Sequence, residues 1–137
     1  MCKILLVEDN ENNSDMLIQR LTLRGYNSLL AENGAAALEL AQAELPDLIL
    51  MDIQIPAPNG LEVTRQLKSM PEMRAIPIIA LTAQAMLSDQ EAAQAAGCDD
   101  FATKPIDFEQ LIFKIQRWLP PIQQSNQSMA GEGGIQR

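Results

Sequence analysis

Apolar residues in this chain gather in short runs, and the stretches between them carry apolar residues at helical spacing. Five runs stand out: Lys3–Val7, Ser28–Ala31, Leu48–Met51, Ile78–Leu81 and Phe101–Thr103. Three of them, Ile4-Leu5-Leu6-Val7, Leu48-Ile49-Leu50-Met51 and Ile78-Ile79-Ala80-Leu81, are continuous rather than alternating. That is how strands read when helices cover both faces of a parallel sheet. Between them, Met16, Leu17 and Leu21 form a stripe that stops at Gly25, a natural helix end. Ala37, Leu38 and Ala41 form a second stripe, ended by Pro46, and Val63, Leu67 and Met70 a third, ended by Pro71.

The fourth helical stretch, Ser88 to Ala96, is rich in alanine, has almost no large apolar residue and ends at Gly97. A helix with so little to bury is expected to be held weakly and to be able to shift. The fifth is the clearest, with Phe108, Leu111, Ile112, Ile115 and Leu119 on one face and Asp107 placed as N-cap. Strand and helix thus alternate at the pitch of repeated βα units, which predicts right-handed crossovers and a doubly wound α/β sheet. After Pro120-Pro121 the chain turns rich in Gln, Ser and Gly. Residues 1–119 are therefore read as one domain and 120–137 as a disordered tail.

Length and charge narrow the function. A chain of 137 residues, 47% hydrophobic, can bury a core without disulfides or metals. Lys plus Arg number 10 against 18 Asp plus Glu, a net charge of −8. That balance speaks against gripping a nucleic-acid backbone or docking on anionic lipid. No apolar run approaches the roughly 20 residues of a membrane helix. The first residues run straight into Glu8-Asp9 without a signal-peptide cleavage site, so a cytoplasmic location is expected. Cys2 and Cys98 lack any metal or disulfide spacing; Cys98 reads as a small core hydrophobe. The chain has no histidine, which removes its own imidazole as base, ligand or phosphocarrier.

In an open parallel sheet, function gathers beyond the carboxyl ends of the strands. Glu8 and Asp9 follow the first run, Asp52 the third, Thr82 the fourth and Lys104-Pro105 the fifth. Taken singly each has a bland reading: a lone Asp after a strand is more often a helix cap, and Lys104 alone a solvated charge. Together they place three carboxylates, a hydroxyl and a lysine in one crevice. Crowded carboxylates repel unless an ammonium or a hard divalent cation such as Mg²⁺ relieves them. Those parts suit phosphoryl handling, with Asp52 able to act as nucleophile.

The stretches Ile4-Leu5-Leu6-Val7-Glu8-Asp9-Asn10, Leu45-Pro46-Asp47-Leu48-Ile49-Leu50-Met51-Asp52, Leu81-Thr82-Ala83 and Phe101-Ala102-Thr103-Lys104-Pro105, with Pro56 and Gly60, carry a resemblance. The chain resembles the receiver domain of two-component response regulators, especially the single-domain regulators of chemotaxis and cell-cycle signalling. The resemblance implies a flavodoxin-like sheet of five parallel strands, order 2-1-3-4-5, with five helices. It implies Asp52 as phosphoacceptor and Mg²⁺ (or Mn²⁺) held directly by Asp9 and Asp52. Glu8 would act through water, and the backbone carbonyl of Gln54 would be a further ligand. Thr82 and Lys104 would bond the phosphoryl oxygens, Lys104–Pro105 would be a cis peptide, and Phe101 would be the aromatic switch. The implied donor is a sensor histidine kinase or histidine phosphotransfer protein, or a small acyl phosphate. The implied output is a downstream protein target or onward phosphotransfer. On this reading the chain is a phosphoacceptor with intrinsic autodephosphorylation, not a turnover enzyme.

Departures from the family pattern fall at Ile55, Pro58 and Asn59, at Phe101 where tyrosine is commoner, and at Gln84, where the family tunes phosphate lifetime. Pro58 is expected to stiffen a loop lining the site. Trp118 is read as packing on the rim, with exposure toward a partner as the other reading. Three alternatives stand beside the main one: a receiver excised from a hybrid kinase, a receiver-like adaptor that ignores phosphate, and an α/β phosphatase or nucleotide-binding protein. The last lacks the motifs it would need, GxxxxGK[ST] and GxGxxG among them.

Overall fold

The computed structural model describes residues 2–83 and 86–119. The expected tail at 120–137 and the expectation for Gln84 lie outside these described residues. Five strands and five helices alternate: β1 (Lys3–Val7), α1 (Glu11–Leu23), β2 (Asn27–Ala31), α2 (Gly34–Glu44), β3 (Leu48–Asp52), α3 (Gly60–Ser69), β4 (Ile78–Thr82), α4 (Leu87–Ala96), β5 (Asp100–Thr103) and α5 (Phe108–Trp118). The strands form one parallel sheet in the order β2-β1-β3-β4-β5. The doubly wound fold expected from the apolar runs is the fold observed.

The continuous runs become the fully buried centre. Because successive strand side chains face opposite ways, each run feeds two cores. Ile4, Leu6, Leu48, Leu50, Ile79 and Leu81 pack with Leu17 and Leu21 of α1 and the apolar face of α5. Leu5, Val7, Ile49, Met51 and Ile78 pack on the other side with Ala37 and Ala41 of α2 and Val63 and Leu67 of α3. All the expected core positions of α5 are buried, and Asp107 caps it by accepting from the Gln110 N–H at 3.2 Å.

Some expectations shift by a residue. The strands β3 and β4 continue past the apolar runs to Asp52 and Thr82. Backbone pairing in the parallel ladder, with Asp52 opposite Leu81 and Thr82 opposite Thr103, does not require an apolar side chain. Met16 does not belong to the buried stripe of α1: it is half exposed, and the buried positions are Ser14, Leu17 and Leu21. One residue of offset rotates a helical side chain by about 100°, enough to leave the core face. Leu38 is only half-buried, and α2 ends at Glu44 with Leu45 in the left-handed region at φ 47°.

Asn59, one of the departures, starts α3 with a reciprocal cap: its side chain accepts from the Glu62 N–H, and the Glu62 carboxylate accepts from the Asn59 N–H. Gly60 then lets the start of α3 abut the end of β3; a Cβ there would stand 2.6 Å from the Ile53 Cα. The loop 53–59 thereby brings the start of α3 back against Asp52 at the end of β3.

The α4 helix buries little side chain. Its N-cap, Met86, makes no side-chain cap bond, and only Ala93 and Ala96 are buried. It packs against α3 and β5, and β5 is an edge strand whose four residues are all only half-buried.

Candidate functional site

The carboxyl ends of the central strands converge as expected. Glu8, directly after β1, is 2% exposed, and its backbone N–H is tied to the Ala31 carbonyl at 3.0 Å. Its Oε2 accepts from the Asn10 N–H at 3.2 Å. Asp9 is exposed, while Asp52, the last residue of β3, is 2% exposed. One carboxylate oxygen from each of Glu8, Asp9 and Asp52 lies within 4.8 Å of the others.

Lys104, just beyond β5, offsets part of this charge by pairing with two of the three carboxylates. Its backbone N–H donates to the Thr82 carbonyl at 2.7 Å, so the strand pairing itself aims the side chain. The ammonium donates to Asp52 Oδ2 at 2.9 Å and to Glu8 Oε1 at 3.3 Å. The other Asp52 oxygen accepts from the Gln54 N–H at 2.9 Å. The Lys104–Pro105 peptide is cis, as the resemblance implies; Ala57–Pro58 is cis as well.

The electrostatics follow from this crowding. Burial pushes the Glu8 carboxyl above its ordinary value, and the neighbouring Asp52 pushes the same way, against the Asn10 N–H and Lys104. Burial pulls the Lys104 ammonium down, but its bonds to Asp52 and Glu8 outweigh that and raise its pKa. One ammonium therefore serves two buried carboxylates, leaving an excess of negative charge at the mouth beside exposed Asp9. Three hard oxygen donors, with the exposed one leaving room for water, fit a Mg²⁺ site.

Thr82 is buried at 5% exposure at the end of β4, the strand neighbouring that of Asp52. Gln54 stands exposed in the turn after Asp52 and touches the site through its N–H. Phe101 is not in the acidic group. It lies one strand further out, opposite Ala80, half-buried, with the Lys114 ammonium 5.6 Å from its ring centroid. Trp118 is 39% exposed and donates from Nε1 to Asp100 Oδ2 at 3.1 Å, so it is both anchored and accessible on the rim.

Two features escaped the sequence reading. Asn10 both supports Glu8 and caps α1 by accepting from the Asn13 N–H at 3.0 Å. An Asn just ahead of a helical stretch was the available signal. A hollow beside the acidic group, lined by Glu8, Asn13, Met16, Lys104 and Phe108, accounts for the exposure of Met16. No periodicity could show it, because its walls come from α1, the end of β1 and the segment leading into α5. Cys98 is partly buried against the α2/α3-side core, and burial pushes its thiol up, as expected of an inert filler.

A buried aspartate at a sheet's carboxyl edge, flanked by an acidic pair and gripped by a lysine that follows the edge strand, defines a class of signalling domain. The chain belongs to the response regulator receiver domain family, whose model it matches over residues 4–116. It is 44% identical over 116 residues to the polar-differentiation response regulator DivK of Brucella anthropi, covering 85% of this chain and 94% of that relative. Among solved structures it is similar to the receiver domain of the sensor histidine kinase PA1611 of Pseudomonas aeruginosa, which has a magnesium ion coordinated in its active site cleft. That likeness has TM-score 0.80 and 38% identity, over 85% of this chain and 96% of the other. It is similar too to the receiver domain of Ssk1 of Saccharomyces cerevisiae, crystallised with the histidine phosphotransfer protein Ypd1. Here the TM-score is 0.80 and the identity 31%, over 85% and 88% of the two chains.

Proposed function

We propose that this chain is a Mg²⁺-dependent phosphoacceptor, and that Asp52 takes a phosphoryl group from a phosphohistidine on a sensor histidine kinase or a histidine phosphotransfer protein. The observation that carries the reading is a buried Asp52 carboxylate bonded at 2.9 Å to Lys104 within a three-carboxylate group. Asp9 and Asp52 would hold the metal directly, Glu8 through water, with the Gln54 carbonyl as a further ligand. Bound Mg²⁺ or Mn²⁺ supplies positive charge to the oxygens of the phosphoryl group in transfer.

One Asp52 oxygen attacks phosphorus in line, the P–N bond to the donor breaks, and its electron pair stays on the donor imidazole. The product is an acyl phosphate on Asp52. Lys104 already points its ammonium at this carboxylate and passes its bond to a phosphoryl oxygen. The Thr82 hydroxyl turns to a second oxygen, and Phe101 follows it inward. Bonds made only to the phosphorylated form bias the α4–β5–α5 face toward a second arrangement. Its consequence is contact with a downstream protein or onward phosphotransfer, with the group eventually lost by hydrolysis. The relationship to DivK, the metal in the PA1611 receiver and the partner of Ssk1 all support this reading.

Incubation of the chain with acetyl phosphate and Mg²⁺ should add one phosphoryl mass by intact-mass spectrometry, and Asp52→Asn should add none. Undiminished labelling of that variant, or labelling that survives excess chelator, would overturn the assignment. Lys104→Ala should keep some labelling but lose the phosphorylation-dependent change in partner binding. Among the described residues, no helix is long and apolar enough to cross a membrane.

A further inference from the structure

Phe101 lies away from the acidic group, so something must set where its ring rests before phosphorylation. Strand pairing fixes its backbone opposite Ala80 on an edge strand, and the residue borders hollows on two sides. One is bounded by Gln90, Ala93 and Gln94 of α4, the other by Gln110, Leu111 and Lys114 of α5. Of the α4 residues, only Ala93 and Ala96 are buried.

A hydrogen-bonded cluster centres on the residue before it. The Asp100 side chain, 14% exposed, accepts three hydrogen bonds. Oδ1 takes the Phe101 backbone N–H at 2.8 Å and the Lys114 ammonium at 3.4 Å, and Oδ2 takes the Trp118 indole N–H at 3.1 Å. The same Lys114 ammonium lies 5.6 Å from the centre of the Phe101 ring. One carboxylate thus gathers the backbone of Phe101, the cation facing its ring and the last residue of α5. Burial works to raise the Asp100 carboxyl, but the Trp118, Phe101 and Lys114 bonds outweigh it and hold the group below the ordinary aspartate value. The carboxylate is therefore charged, and its bonds are charge-assisted, throughout the neutral range.

We propose that Asp100 is a positioning residue for Phe101, and that it ties the resting ring to the C-terminal end of α5 through Lys114 and Trp118. Inward movement of Phe101 carries the ring away from Lys114 and pulls on the backbone amide that Asp100 holds. The carboxylate must then shift or release the indole. Phosphorylation at Asp52 is in this way read out at Trp118, on the far side of β5 and at the root of the chain beyond α5. The inference rests on the phosphoacceptor reading above and adds the route by which the end of α5 responds.

Trp118 is the sole tryptophan in the chain, so its fluorescence reports this one position. The full chain is treated with acetyl phosphate and Mg²⁺, and phosphoryl mass and tryptophan emission are read on the same sample. Wild type should gain one phosphoryl mass together with a change in emission. Asp100→Ala and Asp100→Asn should gain the same mass, start from an altered emission and lose the further change. Lys114→Gln, which leaves the carboxylate and the indole bond in place, should show a reduced change; circular dichroism verifies that each variant is folded. Full phosphorylation of wild type with unaltered emission would overturn this inference and leave the phosphoacceptor reading standing. So would a folded Asp100→Ala whose emission responds as wild type does. Absence of any phosphoryl mass in wild type would sink both.

Discussion

The centre of the sheet and its β5 edge are built on opposite terms. Around Glu8 and Asp52, the strands β1, β3 and β4 are buried on both faces, their side chains interdigitate with four helices, and the acidic group is held by bonds from Asn10, Gln54 and Lys104. At the edge, α4 buries only two alanines and lacks a side-chain cap, and all of β5 is half-buried. A rigid centre keeps reacting groups in register, since loose positioning costs transfer rate steeply. A weakly held edge has two arrangements within reach of a few charge-assisted bonds; taking a two-state equilibrium from 1:99 to 99:1 needs about 5.5 kcal/mol. On the proposed function, chemistry and response fall to regions of unequal packing in a single small sheet.

The contrast can be broken most forcefully at the centre. Leu50→Ala empties a fully buried position on β3 and should cost about 2–5 kcal/mol of global stability, read from the urea midpoint. A loss below about 1 kcal/mol would mean that the centre is no better packed than the edge. Next in size is the metal. Mg²⁺ at 100 times its dissociation constant should stabilise the fold by about 2.7 kcal/mol, and Asp9→Asn should remove most of the resulting rise in Tm.

A smaller effect of opposite sign is expected at Glu8. Its carboxyl is raised by burial and by Asp52, so protonation favours the folded state, and stability is lost as pH rises from the ordinary glutamate value through the raised one. In metal-free buffer Glu8→Gln should therefore stabilise the protein by about 0.5–2 kcal/mol at neutral pH and by little at pH 4. The same variant should bind Mg²⁺ less well. Denaturant titrations at the two pH values, with and without Mg²⁺, test both halves. The smallest effect belongs to the edge: Ala93→Gly should cost about 0.5–1 kcal/mol. Amide exchange should accelerate across α4 while β1 and β3 keep their protection; uniform acceleration would show that α4 does not open separately.

Much of this was legible along the chain because it rests on local regularities. Continuous apolar runs mark strands covered on both sides, glycines and prolines mark helix ends, and polar residues just past those runs mark the carboxyl edge. Glu8, Asp9, Asp52, Thr82 and Lys104 could be named on that basis together with the family resemblance. Met16 lies next to Leu17 in the apolar pattern, yet only Leu17 faces the core, because a packed helix face does not tolerate an offset of one residue.

What the chain alone determined was its alternation of strand and helix, the identity of its buried runs and the polar residues that end them. Each of these depends on residues a few positions apart. Only the tertiary structure decided that one ammonium would serve both Glu8 and Asp52, which lie 96 and 52 positions from Lys104. It alone joined Asp100 to Trp118 across 18 residues and opened the hollow under α1. Such bonds depend on angles and distances between elements, and those are settled only when side chains from separate parts of the chain compete for the same space and the same acceptors.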